Sequence, residues 1–325
     1  MLEIFRRNHF VNSFLLLFYT IVLRVSFLMS DPRADSWPDI GLFTHHLNEF
    51  FSTNAAANFI FGTLVLFFQA VYLNRIVIKN QITKDNSMLP GVFYILLHCS
   101  FPVFLQTNGA LLACTFLIFA LENIFKSYRL DSAADYIFNA GFWISMASMF
   151  YFPVIYLHVF AGISLISIKS MRWRDRLQLL IGAITPIFLV FTVYYFFHLE
   201  NVFYKEYWLD HLGYILPPYP TTWNNIIIGI FVGFFVALCL MMYGSITSKS
   251  GIHVKKKIEI LYWYILFCTL IMPFQPQFPI QGLLLYNPAL GIFLAIIFLN
   301  IKSKQIAEIL HLVLLLLVLI SQFYF

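Results

Sequence analysis

Charge is what this sequence has least of. Asp, Glu, Lys and Arg make up 11% of its 325 residues, less than half the share of about 25% in soluble globular domains. With 61% hydrophobic residues and a mean hydropathy of +0.81, a water-soluble fold would have too little polar surface to cover itself. Cysteine is also scarce. Cys99, Cys114, Cys239 and Cys268 all lie in apolar segments without CxxC spacing, so they read as small buried hydrophobes rather than disulfide or zinc ligands. The Walker loop, HExxH, GxSxG and the dinucleotide fingerprint are missing. So is a string of charged residues through the apolar segments, which a proton pump or ion channel usually carries. These residues define no metal site and name no cofactor.

What is abundant is apolar runs. A spanning helix needs about 17–25 mostly apolar residues. That length predicts helices at 9–29, 55–73, 88–106, 108–125, 136–152, 153–169, 177–197, 223–244, 258–274, 282–300 and 306–324. The expected fold is all-α: a polytopic transmembrane helical bundle of about eleven helices, with residues 1–325 forming a single integral membrane domain. Arg6 and Arg7 precede the first run as in a signal peptide, but that run reaches Met29 without an A-x-A-like cleavage site. It therefore reads as a retained helix. The stretch 136–169 is too long for one straight helix, and Tyr151-Phe152-Pro153 supplies a break because proline removes an amide donor.

The formal charge of +5 does not suggest a nucleic-acid partner, because of where the bases sit. With the N-terminus inside, all Lys and Arg except Arg24, Arg33 and Lys205 fall at the inner ends of the predicted helices or in inner loops. Those loops are 74–87, 126–135, 170–176, 245–257 and 301–305, as the positive-inside rule requires. Two outer loops are long, 30–54 and 198–222. Both are acidic, and their Trp, Phe, Tyr and Leu residues suit helices that lie on the membrane.

Several residues in and near these loops can carry chemistry. Asp31, Asp35 and Asp39 follow helix 1 in SDPRADSWPD, either as a general base or metal ligand or as a solvated turn with a helix cap. Arg24 is costly within an apolar helix. It either meets a phosphate group, snorkels to the interface or pairs with Asp31. His45, His46 and Glu49 are candidate substrate contacts, with one His and Glu49 a possible metal pair one turn apart, or merely interfacial helix surface. In the second loop His198, Glu200, Glu206, Asp210 and His211 form a polar cluster, with Glu206, Asp210 and His211 as candidate substrate contacts, or a merely solvated face. His98, His158 and His311 are expected to be hydrogen-bonded inside the bundle. Glu122 and Glu259 are expected to pair with neighbouring lysines.

An inner-to-outer first helix followed at once by an acidic loop with an amphipathic helix, then a second long outer loop between helices 7 and 8, resembles the polytopic GT-C glycosyltransferases. That resemblance implies a polyprenyl-phosphate-linked sugar donor bound on the extracytoplasmic face, with Asp31 or Asp35, rather than Asp39, as the first-loop carboxylate that serves as base or metal ligand. The segment FNAGFWISMASMFYFPVIYLHVFAG (138–162), with RWRDR and IGAITP after it, is similar to a family of bacterial inner-membrane proteins whose domain has no settled activity. It implies a multi-pass inner-membrane location; the basic loops place the N-terminus in the cytoplasm, and membrane lipid is the expected partner. Two other readings of the whole chain stay open: a transporter or flippase of lipid-linked or small polar substrates, and a non-catalytic partner in an envelope assembly.

Overall fold

The computed structural model describes residues 2–6, 10–28, 41–83, 85–128, 130, 132–168, 172–209, 222–248, 251–274 and 280–324. These residues form an all-helical bundle, with no strand among the described residues. The main helices are α1 Phe10–Arg24, α2 Thr44–Thr53, α3 Ala55–Lys79, α4 Leu89–His98, α5 Gly109–Lys126 and α6 Ala134–Phe150. They are followed by α7 Leu157–Ile168, α8 Trp173–Phe196, α9 Trp223–Met241, α10 Ile252–Ile271, α11 Asn287–Asn300 and α12 Lys304–Tyr324.

Among the described residues, seven helices are long and apolar enough to cross a membrane: α3, α5, α8, α9, α10 with its turn to Phe274, α11 with the turn from Gln281, and α12. This is compatible with a multi-pass membrane protein. Helix length thus identifies fewer crossings than the eleven expected, for reasons visible in the chain. The expected helix at 88–106 stops at His98 and restarts only as the single turn Pro102–Leu105. The one at 153–169 begins as a 3-10 turn, Phe152–Tyr156, and leaves α7 twelve residues long.

Tyr151-Phe152-Pro153 does more than kink the chain. Tyr151 is extended, at φ −147° and ψ 95°, and Ser145 Oγ lies 3.1 Å from His158 Nε2. A continuous helix would hold these residues about 20 Å apart, so α6 and α7 form a hairpin. Against it, α8 packs closely through two glycines. A Cβ at Gly141 would collide with the Leu179 carbonyl, and one at Gly182 with the Phe138 carbonyl. Small residues at a helix crossing let backbones approach in this way.

Contacts sort the connections onto two ends of the bundle. At one, Lys257 Nζ donates to Asn80 Oδ1 at 2.8 Å and Lys304 pairs with Glu3 at 2.7 Å. The Tyr128 ring lies 4.9 Å from His253. The expected local ion pairs are found on the helices that reach this end, Lys126–Glu122 at 2.8 Å and Lys256–Glu259 at 3.1 Å. This is the basic end. At the other, Ser26 Oγ donates to Gln322 Oε1 at 2.7 Å, the Thr107 amide donates to Asn58 Oδ1 at 3.0 Å, and the Tyr156 and Phe274 rings lie 5.0 Å apart. The four cysteines are free and buried.

Candidate functional site

Arg24 is the last residue of α1, where the negative end of the helix dipole favours a cation. Its side chain is fully buried, so it does not snorkel. Nη2 donates to the Leu105 carbonyl at 2.6 Å, and Cζ sits 6.0 Å from the centre of the Phe27 ring. Nε and Nη1 make no hydrogen bond. None of the described ion pairs includes Arg24.

The room for the guanidinium comes from α3. A Cβ at Gly62 would run into Arg24 Nη2 and would lie 2.6 Å from Thr107 Oγ1. His98, the last residue of α4, is fully buried, and Gln322 ties the two helix ends together by donating to the carbonyls of Leu23 and Cys99, the chain neighbours of Arg24 and His98. Neither of its ring nitrogens has a hydrogen-bond partner. That overturns the expectation of a hydrogen-bonded His98, whereas the other two helical histidines do have partners. His158 Nδ1 lies 2.7 Å from the Ile155 carbonyl, and His311 Nε2 lies 3.4 Å from the Tyr19 hydroxyl. Nearby carbonyls accept from side chains of α12 instead. Gln322 Nε2 donates to those of Leu23 and Cys99, and Ser321 to that of Ser100.

Beside this polar node the two long loops meet. Leu42 and Phe43 of the first loop, and Phe203, Tyr207 and Trp208 of the second, pack with Met149, Phe150 and Phe152 at the tip of the α6–α7 hairpin. The Phe43 amide donates to the Met149 carbonyl at 3.2 Å, and the Tyr207 hydroxyl lies 2.8 Å from Ser148 Oγ. Burial pushes the Tyr207 phenol up to about 12. The connection before α5 joins the two regions, since Thr107 contacts Asn58 beside the node while Gly109 lies against Thr44 and Phe150 of the cluster.

The remaining candidates fare differently. Asp31, Asp35, Asp39, Asp210 and His211 lie outside the described residues, as do the side chains of His45 and His46 on α2. Glu49 and Glu206 are exposed and are not among the groups that surround Arg24. Among the described residues no three His, Cys, Asp or Glu side chains gather as a metal set. A separate lateral groove of about 540 Å³ between α9 and α10 is lined by Leu240, Tyr262, Trp263 and Leu266, with Glu259 and Thr269 as its polar groups. It holds none of the predicted site residues. Sequence reasoning missed Gly62 and His98. For His98 the available signal was a titratable residue at the end of a short apolar run just before Ser100-Phe101-Pro102. In comparison with known proteins, no family model and no curated sequence matches this chain.

Proposed function

We propose that this chain is a GT-C-like membrane glycosyltransferase using a polyprenyl-phosphate-linked sugar donor. In this reading the basic end is cytoplasmic and the Arg24 end faces the extracytoplasmic side of a bacterial inner membrane. The chain then crosses about eleven times, with α1, α4, α6 and α7 as short crossings shielded by the long helices. The hairpin at Pro153 supports that parity, because it returns the chain to the basic end before α8.

One observation carries the functional reading: a fully buried arginine near the end of α1, without a described carboxylate, beside the meeting point of the two long loops. A buried cation at such a depth marks a ligand site by default, and a lipid phosphate compensates both its charge and its N–H groups. Asp31 or Asp35 then takes the proton of an acceptor hydroxyl. The hydroxyl oxygen bonds to the anomeric carbon, and the bond from that carbon to the phosphate oxygen breaks. The electron pair leaves on the lipid phosphate, where Arg24 neutralises it. Asp39, His45, His46, Glu49, Glu206, Asp210 and His211 are assigned to the sugar and acceptor.

The test is a glycan profile. Loss of a general base costs about 10²–10⁴-fold in rate, whereas loss of a helix cap costs about 1 kcal/mol of stability. Cells carrying Asp31→Asn, Asp35→Asn or Arg24→Gln, each accumulating normally, are compared with a deletion strain by mass spectrometry of envelope glycans. The expected result is the same glycan lost in the deletion, in Arg24→Gln and in one of the two Asp variants. An unchanged profile in the deletion strain overturns the transferase reading in favour of the non-catalytic partner.

A further inference from the structure

We propose that Arg24 and His98 together form one phosphoryl-binding pocket between the ends of α1 and α4, with Gly62 providing its room. The proposal rests on the reading of Arg24 as a phosphate contact. It adds a second contact residue and the glycine that leaves space for the guanidinium.

Four buried nitrogens carry the argument: Nε and Nη1 of Arg24 and both ring nitrogens of His98, none with a hydrogen-bond partner. A buried donor without a partner costs about 1–3 kcal/mol, so leaving several together would take a large share of the roughly 5–15 kcal/mol that holds a protein folded. Their ligand must therefore accept hydrogen bonds. It must also be an anion, because a neutral acceptor would leave the buried guanidinium charge uncompensated. The protein does not supply that anion from its described side chains, since no described ion pair includes Arg24. The nearby carbonyls of Leu23, Cys99, Ser100 and Leu105 already accept from Gln322, Ser321 and Arg24.

A phosphoryl group suits this donor set. The planar guanidinium fork can hold a pair of phosphoryl oxygens, and a neutral imidazole offers one donor and one acceptor. His98 can therefore hold a phosphoryl oxygen through one nitrogen and a protonated or hydroxyl oxygen of the ligand through the other. Gly62 decides whether the guanidinium can sit there at all, because any side chain at that position displaces Nη2. The same chemistry is offered by a lipid phosphate and by free phosphate.

The experiment uses the full chain in phosphatidylcholine vesicles, with ligand retention read by native mass spectrometry. The vesicles are doped with a polyprenyl monophosphate or with the uncharged polyprenol, and a third arm adds inorganic phosphate to undoped vesicles. Retention of the monophosphate lipid above the alcohol is expected, with inorganic phosphate competing. Arg24→Gln, His98→Asn and Gly62→Ala should each weaken retention by about tenfold, the equivalent of one charge-assisted hydrogen bond. Equal retention of lipid phosphate and alcohol by the wild type overturns the pocket, and that comparison needs no variant to fold. Unchanged retention in folded His98→Asn and Gly62→Ala removes those residues from it. Inorganic phosphate bound as tightly as the lipid assigns the same pocket to the free ion. Phosphoryl binding in a protein whose deletion leaves every glycan unchanged keeps the pocket and removes the transferase, so the two ideas fail separately.

Discussion

At the scale of single residues, the fold depends on a few buried polar pairs. Tyr207 is the most testable of them. Tyr207→Phe keeps the ring that packs on Phe152, with centres 5.3 Å apart, but takes the hydroxyl from Ser148. The variant should lose about 1 kcal/mol, measured as a lower Tm in detergent. Alkali provides a second check. The folded phenol ionises near pH 12 against about 10 when unfolded. The Tyr207 contribution is therefore complete below pH 10 and is lost as pH rises through 12. Tyr207→Phe should flatten that part of the stability profile, and an equal alkaline loss in both proteins would contradict the assignment. Arg24 was legible in the sequence because a charge in an apolar run is costly wherever it lands. The missing partners of His98 were not legible, since they depend on how α1 and α12 pack against the end of α4.

At the scale of elements, the tight crossing of α6 and α8 is set by glycine. Gly182→Ala would drive a methyl group into the Phe138 carbonyl and should cost about 1–3 kcal/mol or more, the range for overpacking. Gly233 on α9 is the control, with nothing within 4 Å of the position of its Cβ. Gly233→Ala should be neutral or stabilising by up to about 1 kcal/mol, because alanine restricts the unfolded chain. Thermal unfolding of both variants decides it; equal Tm values would mean that the crossing is looser than described. Apolar runs made most elements readable in advance, since membrane length leaves few alternatives. The stop at His98 was not anticipated, although Pro102 stands where the chain restarts. The long loops were recognisable as aromatic. Their meeting over Met149 and Phe152 was not, because it depends on where the α6–α7 hairpin ends.

At the scale of the whole molecule, the proposed orientation is checked by single cysteines in intact cells. The native cysteines are buried and should stay silent, so Glu206→Cys and Lys302→Cys report alone from exposed positions. An impermeant maleimide should label the first and spare the second; labelling of Lys302→Cys from outside would invert the map. One further consequence follows from where α1 ends. Beyond Arg24 the chain continues as a 3-10 turn, Val25–Leu28, which rises about 8 Å, roughly a quarter of a hydrocarbon core about 30 Å thick. In the proposed orientation, an anion descending to the guanidinium from the outer face would cross about that fraction of the membrane potential. With the interior negative, each unit of charge is opposed by about 0.6 kcal/mol per 100 mV, a factor of about three in occupancy. In an energised cell the protein would hold its anionic ligand less tightly than in a depolarised one, so its occupancy would follow the charge state of the membrane.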